Sequence, residues 1–129
     1  MPSTLLVDAD ILIDAARGVR DAADWLDSMA EDNRLAVSIV TEMELVVGCR
    51  DKRELRELDR SLVRFERIPI PEPGSALAVD LLKRYRLSHG LLIADALIAA
   101  TAISMGSVFA TKNQRHFRFI EGLNLLPYS

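Results

Sequence analysis

Short apolar runs alternate with amphipathic stretches along this chain. Runs of the kind that form buried strands occur at residues 5–7, 35–37, 107–110 and 124–126, and residues 67–71, which contain two prolines, fit an edge strand. Helical spacing of apolar residues occurs at residues 11–16, 21–29, 72–85 and 91–105, and also at Leu55, Leu58, Leu62 and Phe65. Strands and helices in this alternation predict an α/β fold with three layers (α/β/α), in which helices cover both faces of a short, mainly parallel central sheet.

Length and composition fit a single domain over residues 1–129, because half of the residues are hydrophobic and a chain of this size can bury a sizeable core. Cys49 is the only cysteine, so no intrachain disulfide can form, and we expect a cytoplasmic protein. The longest nearly apolar run, residues 91–105, contains Asp95 and is too short to cross a bilayer, so we expect no membrane association. With a formal net charge of -3, a nucleic acid would have to be bound by a local patch of arginines or by bound cations.

Polar residues directly follow two of the predicted strands. Asp8 and Asp10 come after the first strand, and Thr111 and Asn113 come after the strand at residues 107–110. The carboxyl ends of strands in an open α/β sheet form the edge where ligands bind, so these residues are candidates for a site. Simpler explanations are that Asp10 caps the following helix and that the residues around Asn113 form an ordinary turn.

Two further acids lie in apolar surroundings. Asp95 belongs to the most apolar helix, where an unpaired carboxylate is costly unless a helix N-terminus or a cation compensates its charge. Glu44 has apolar neighbours on both sides, although Thr41 and Glu44 also match a capping box with a purely structural role. If the sheet brings Asp8, Glu44 and Asp95 to one edge, their mutual repulsion is usually resolved by a divalent cation.

The chemistry of the candidate ligands narrows the choice of metal. Carboxylate oxygens favour Mg²⁺ or Mn²⁺, and the chain lacks the Cys and His clusters that bind zinc. His89 and His116 show no spacing that suggests a ligand or catalytic pair. A carboxylate site that holds such a cation suits phosphoryl chemistry, in which the metal activates water.

Four ordered blocks of the chain resemble the PIN-domain ribonucleases, and in particular the VapC-type toxins of toxin-antitoxin pairs. The blocks are residues 7–14 (VDADILID), Ser38 with Thr41-x-x-Glu44-Leu45-x-x-Gly48, residues 93–100 (IADALIAA) and residues 110–117 (ATKNQRHF). The resemblance covers nearly the whole chain. It implies hydrolysis of RNA phosphodiester bonds by a metal-activated water, formation of a homodimer, and neutralisation by a cognate antitoxin protein that reaches into the acidic site.

The same resemblance assigns roles to individual residues. It implies that Asp8, Glu44 and Asp95 are the catalytic acids that bind Mg²⁺ or Mn²⁺, with Asn113 at the place where many relatives have a fourth acid. Supporting roles fall to the neighbouring polar residues Asp10, Ser38, Thr41, Thr111 and Asn113.

Two other functions are compatible with part of this sequence pattern. A non-catalytic PIN-like binding domain would keep the fold but would have lost its activity because Asn113 replaces an acid. A phosphatase with an Asp nucleophile would also have an Asp-x-Asp pair after the first strand, with Asp8 as nucleophile and Asp10 as general acid. Leu12 does not match the phosphatase pattern, and no block with paired aspartates follows, so the sequence favours the ribonuclease.

Overall fold

The structure, a computed structural model, describes residues 3–128 and has a central five-stranded sheet. The strands are β1 (Ser3–Val7), β2 (Asn33–Ser38), β3 (Glu66–Ile68), β4 (Val108–Thr111) and β5 (Leu125–Pro127). The helices are α1 (Ala9–Ala16), α2 (Arg20–Asp32), α3 (Ile39–Val47), α4 (Lys52–Ser61), α5 (Gly74–His89), α6 (Ile93–Met105) and α7 (Gln114–Phe117). The predicted alternation of strands and helices is therefore confirmed.

All five strands run parallel, in the order β3-β2-β1-β4-β5. The chain moves outward from β1 through β2 to β3, and then returns to the other side of β1 as β4. This reversal creates a switch point between the carboxyl ends of β1 and β4, where open α/β sheets bind their ligands.

Side chains alternate along the strands and form a core on each face of the sheet. Leu6 and Phe109 point to the face that packs against α5, α6 and α7, whereas Leu5 and Val7 point to the face covered by α1, α2 and the segment after α4. Most of these strand residues are completely buried. The predicted three-layer arrangement is thus present, with one hydrophobic core above the sheet and one below it.

Helix α6 is the most buried helix of the protein, and its direction matters for the site. Gly90 and Gly106 adopt positive φ angles of +70° and +65° and end α5 and α6, respectively. Because α6 leads directly into β4, its C-terminus lies near the amino end of that strand, and its N-terminus, with Asp95, lies toward the carboxyl edge of the sheet. α6 has 13 residues, and none of the helices within residues 3–128 is long and apolar enough to span a membrane.

Candidate active site

Asp8 lies at the carboxyl end of β1, and both oxygens of its carboxylate accept hydrogen bonds. The backbone N–H of Ala9 donates to Oδ1 (2.8 Å), and the Thr111 hydroxyl donates to Oδ2 (2.7 Å). The backbone N–H of Asp8 donates to the carbonyl oxygen of Ala110 (2.9 Å), which ties this residue to β4. Asp8 is therefore the N-cap of α1, and the interpretation of Asp10 as that cap is wrong.

The Thr111 hydroxyl, at the end of β4, lies between two carboxylates. Its Oγ1 is 2.7 Å from Asp8 Oδ2 and 3.1 Å from Asp10 Oδ2. A hydroxyl group has one hydrogen to donate, so the two carboxylates compete for it. The same oxygen accepts a hydrogen bond from the backbone N–H of Asn113 (3.0 Å), which fixes its position. Thr111 thus sets the relative orientation of the two acids that follow β1.

Asp10 connects α1 to the loop after β4. Its Oδ2 accepts a hydrogen bond from the backbone N–H of Lys112 (3.0 Å), and the ammonium group of Lys112 lies 2.6 Å from Asp14 Oδ2. The other oxygen of Asp10, Oδ1, is buried and has no hydrogen-bond partner within residues 3–128. An unsatisfied buried carboxylate oxygen is costly, and a cation or a water molecule would relieve that cost.

The environment of Asp8 strongly disfavours its charged form. Its pKa is raised from 3.8 to about 7, chiefly because the carboxyl group is buried and secondly because Asp10 is close. The negative charge of Glu44 raises this pKa further, while the hydrogen bonds from Thr111 and from the backbone of Ala9 lower it. In the absence of a cation, Asp8 is therefore only partly ionised at neutral pH.

Glu44 and Asp95 come from two helices that pack against each other, α3 and α6. Burial raises the pKa of Glu44, and the charge of Asp95 raises it further, although the Glu44 side chain is exposed to solvent. Burial also raises the pKa of Asp95, which lies in the first turn of α6. The charge of Glu44 acts on Asp8 and the charge of Asp95 acts on Glu44, so Glu44 lies near both of the other predicted acids. We refer to Asp8, Glu44 and Asp95 as the acid cluster.

His116 on α7 is a neighbour of this cluster that the sequence reasoning set aside. Its positive charge lowers the pKa of Asp95, opposing the effect of burial. The sequence signal was present, because His116 belongs to the block at residues 110–117, but no local pattern indicated which acid it would approach. His89 has a different surrounding: its ring stacks on Phe119 with centroids 4.2 Å apart.

The supporting residues of α3 and α7 differ from their expected arrangement. The Ser38 hydroxyl accepts a hydrogen bond from the N–H of Val40 (3.0 Å) and caps α3, so the capping box of Thr41 and Glu44 is wrong. Thr41 lies inside the helix, and its buried Oγ1 has no hydrogen-bond partner in the described residues. Glu44 is thereby free of a capping role. Asn113 is exposed at the start of α7, and its side chain makes no hydrogen bond within residues 3–128.

The donor set fits a hard divalent cation better than any other metal. Asp8, Glu44 and Asp95 offer oxygen ligands alone, and the unsatisfied Oδ1 of Asp10 adds a second-sphere acceptor in the same region. Within residues 3–128, no three His, Cys, Asp or Glu side chains are already arranged to hold a metal ion. Binding therefore requires side-chain adjustment, which the solvent-exposed Glu44 can provide.

A groove borders the acid cluster on the side of Glu44. It has a volume of about 770 Å³ and lies between α1, α3 and α4. Its walls are apolar at Leu12, Leu45 and Leu58, and its rim carries the carboxylates of Glu44 and Glu57. The groove can therefore accept an apolar segment that carries positive charge.

Comparisons with known proteins agree with this architecture. Residues 5–122 match the family described as PIN domain. The chain is 43% identical to ribonuclease VapC10 of Mycobacterium tuberculosis over 120 residues, which cover 92% of this chain and 90% of that protein.

Two solved toxin-antitoxin structures are also similar. VapBC2 of Rickettsia felis, bound to a promoter DNA fragment, has a TM-score of 0.83 and 25% identity, covering 98% of this chain and 99% of that chain. A toxin-antitoxin complex from Klebsiella pneumoniae has a TM-score of 0.76 and 30% identity, covering 95% of each chain. With a family match over nearly its whole length and a VapC relative at this level of identity, the chain belongs to the PIN-domain family.

Proposed function

We propose that this protein is a divalent-metal-dependent ribonuclease that acts as the toxin of a toxin-antitoxin pair. The observation that carries the proposal is that the charge of Glu44 raises the pKa of Asp8 and the charge of Asp95 raises the pKa of Glu44, which supports a single acidic site formed by three separate elements. A relative named ribonuclease VapC10 and the similarity to VapBC complexes support the same activity and role. The single cysteine, Cys49, is in keeping with action in the cytoplasm, where RNA is the available substrate.

The acids have distinct tasks in this proposal. Asp8 and Asp95 would hold Mg²⁺ or Mn²⁺, and Glu44 would either complete the ligand set or accept a proton from the attacking water. When bound, the cation supplies activation of water and stabilisation of the charge that develops on the phosphate oxygens. Asn113, at the place of a fourth acid, lowers the negative charge of the site and offers an amide oxygen.

The residues around these acids orient them. Thr111 holds Oδ2 of Asp8, and the N–H of Ala9 holds Oδ1, so the carboxylate cannot rotate freely. Asp10 is fixed by the backbone of Lys112 and competes for the hydroxyl of Thr111. This arrangement positions Asp8 before the substrate arrives, which is the main contribution that a rigid site makes to catalysis.

The direct test is cleavage of total cellular RNA by the purified protein in Mg²⁺, in Mn²⁺ and in EDTA. We expect cleavage in both metals and none in EDTA, and loss of cleavage in Asp8→Asn. Asp24→Asn, which makes the same chemical change on the exposed surface of α2, serves as the matched control and should retain full activity. Equal cleavage by the wild type in EDTA and Mg²⁺ would contradict the proposal, and absence of turnover on every RNA would indicate a binding domain instead.

We also propose that the antitoxin occupies the groove between α1, α3 and α4. Glu44 is one of the residues that line the groove, so a basic side chain on an apolar segment lying in it would reach the acid cluster at Glu44. Leu58→Glu, in the wall of the groove, should release a co-expressed antitoxin. Val63→Glu is the matched control, because Val63 is 79% exposed and is not among the residues that line the groove. Retention of the antitoxin by Leu58→Glu would argue against this location.

A homodimer fits the apolar surface at the corner between α5 and α6. Val79, Leu87, Leu92 and Ile93 are exposed there, and Leu87 is 100% exposed. Val79, Leu92 and Ile93 line one surface cavity, and Leu87 follows on the same helix as Val79. A monomer gains nothing by exposing these large apolar side chains, whereas a symmetric dimer would bury them. Sedimentation of wild type against Leu87→Glu tests this proposal, and an unchanged sedimentation coefficient would exclude Leu87 from the interface.

A further inference from the structure

Two arginines at the end of α7, the helix whose His116 acts on Asp95, carry positive charge that the proposed function has not yet used. Arg115 and Arg118 are exposed, while Phe117 between them is buried. Neither arginine has a carboxylate within 4.0 Å among residues 3–128, whereas six other cations of the chain do. Arg118 directly follows α7 as its C-cap and keeps a helical backbone conformation, so the two arginines, three residues apart, are neighbours with like charge and no carboxylate partner within 4.0 Å among residues 3–128.

This pair of arginines sits on a rigid support that is directly connected to the site. The Phe117 ring packs edge-on against Phe109 of β4, with centroids 4.9 Å apart. The side-chain amide of Gln114 donates a hydrogen bond to the carbonyl oxygen of Thr111 (2.7 Å), the residue that holds Asp8. A group bound by α7 would therefore have a fixed position relative to the acid cluster.

The opposite side of the site has a different charge. The groove next to Glu44 is lined by three carboxylates, those of Glu44, Glu54 and Glu57, and by the guanidinium groups of Arg17 and Arg50, of which Arg50 is already paired with Glu54 at 2.8 Å. A polyanion approaching from that side would meet more carboxylates than free guanidinium groups, and the net charge of -3 offers no general attraction to compensate for them. The side of α7 is therefore the more favourable approach for RNA.

We propose that Arg115 and Arg118 bind phosphates of the RNA strand and position the scissile phosphodiester at the acid cluster. This inference rests on the proposed ribonuclease function and adds the path of the substrate to it. The forked guanidinium group matches the geometry of a phosphate and binds it through two hydrogen bonds. Because phosphates are the same in every sequence, these contacts should strengthen binding of all RNAs alike.

The test is the salt dependence of RNA binding. Binding of a fluorescein-labelled single-stranded RNA of mixed sequence is followed by fluorescence anisotropy in EDTA, for wild type and for Arg115→Gln/Arg118→Gln. Each lost phosphate contact should reduce the slope of log K against log[salt] by about 0.7, or about 1.4 for both arginines. Between about 50 and 200 mM salt, the double variant should therefore lose about sevenfold less affinity than wild type.

Two further variants make the result specific. Arg34→Gln/Arg60→Gln removes two exposed arginines that also have no carboxylate within 4.0 Å among residues 3–128. Arg34 lies at the start of β2 and Arg60 at the end of α4, and neither lines the groove next to Glu44, so this control should keep the wild-type slope. Arg115→Lys/Arg118→Lys keeps both charges and should keep the slope while binding less tightly, because it lacks the forked geometry.

The outcomes separate this inference from the proposed function. If wild type cleaves RNA in Mg²⁺ but the Gln variant of α7 has the same slope as the control variant, the inference is wrong and the ribonuclease stands. If wild type neither binds nor cleaves RNA, both the proposed ribonuclease function and this inference are wrong. An equal loss of slope in the α7 variant and in the control would also overturn the inference, since it would show that binding depends on overall charge.

Discussion

Replacing Asp8 with asparagine should stabilise the metal-free protein at alkaline pH. The pKa of Asp8 is about 7 in the folded protein and 3.8 ordinarily, so the folded state holds this proton more tightly than the unfolded chain does. The contribution of Asp8 to stability is therefore complete below pH 3.8, and it is lost as the pH rises through about 7. Asp8→Asn removes this penalty because the amide has no charge to bury.

The size of the effect follows from the same two values. They differ by about three pH units, and each unit corresponds to about 1.4 kcal/mol, so an ionised Asp8 costs the metal-free fold about 4 kcal/mol. The amide can still accept from the N–H of Ala9, but its NH₂ group faces the Thr111 hydroxyl, and the altered hydrogen bond costs about 1–2 kcal/mol. We expect Asp8→Asn to be more stable than wild type by about 2–3 kcal/mol at pH 8.

Guanidinium denaturation in EDTA at pH 5 and pH 8 measures this difference. Wild type should lose stability between the two pH values, whereas Asp8→Asn should lose much less, and Asp24→Asn should behave like wild type. Added Mg²⁺ should stabilise wild type by mass action and leave Asp8→Asn almost unchanged. If Asp8→Asn were no more stable than wild type at pH 8 in EDTA, the carboxyl group would not be destabilised by its surroundings, and the main argument for a cation at this position would be lost.

Three further predictions concern the chemistry. Asp8→Asn, Glu44→Gln and Asp95→Asn should each remove most RNA cleavage, and double variants should lose little more, because the acids act as a unit; near-full turnover of Asp95→Asn would exclude it from that unit. Thr111→Val removes a hydrogen bond that lowers the pKa of Asp8, so this pKa should rise when it is measured by carboxyl NMR in EDTA. Cleavage at neutral pH should fall about tenfold or more. Thr111→Ser, which keeps the hydroxyl, should restore both the pKa and the cleavage. Because water is the attacking group, the products should carry 5′-phosphate and 3′-hydroxyl ends. A substrate with one 2′-deoxy sugar before the scissile phosphate should be cleaved with a loss of rate of at most about tenfold. Detection of 2′,3′-cyclic phosphate ends would refute this mechanism.

Much of the fold could be predicted from the sequence because its signals are local. Each strand is a short apolar run, and Gly90 and Gly106 mark helix ends by a conformation that other residues rarely adopt. Parallel topology then brings the carboxyl ends of the strands to one edge, which is why Asp8 and Thr111 could be placed together from their positions alone.

The details of the site were not predictable in the same way. The contact between Thr111 and Asp8 joins residues 103 positions apart, and its geometry depends on the register of β1 with β4. The N-caps were predicted at the wrong residues because each helix begins two or three residues earlier than expected. The N-cap of α3 is Ser38 and not Thr41, and the N-cap of α1 is Asp8 and not Asp10. No periodicity in the sequence indicates that the Thr111 hydroxyl lies within hydrogen-bonding distance of the carboxylates of both Asp8 and Asp10.

The hydrogen bond between Thr111 and Asp8 also ties activity to the completion of folding. Asp8 precedes its partner on β4 by 103 residues, and the acids of α3 and α6 also follow it in the chain. A nascent chain that has not yet produced residue 111 lacks β4, one of the two strands beside β1, and the hydroxyl that orients Asp8. We therefore expect the orientation of Asp8 to be established only when β4 has joined the sheet.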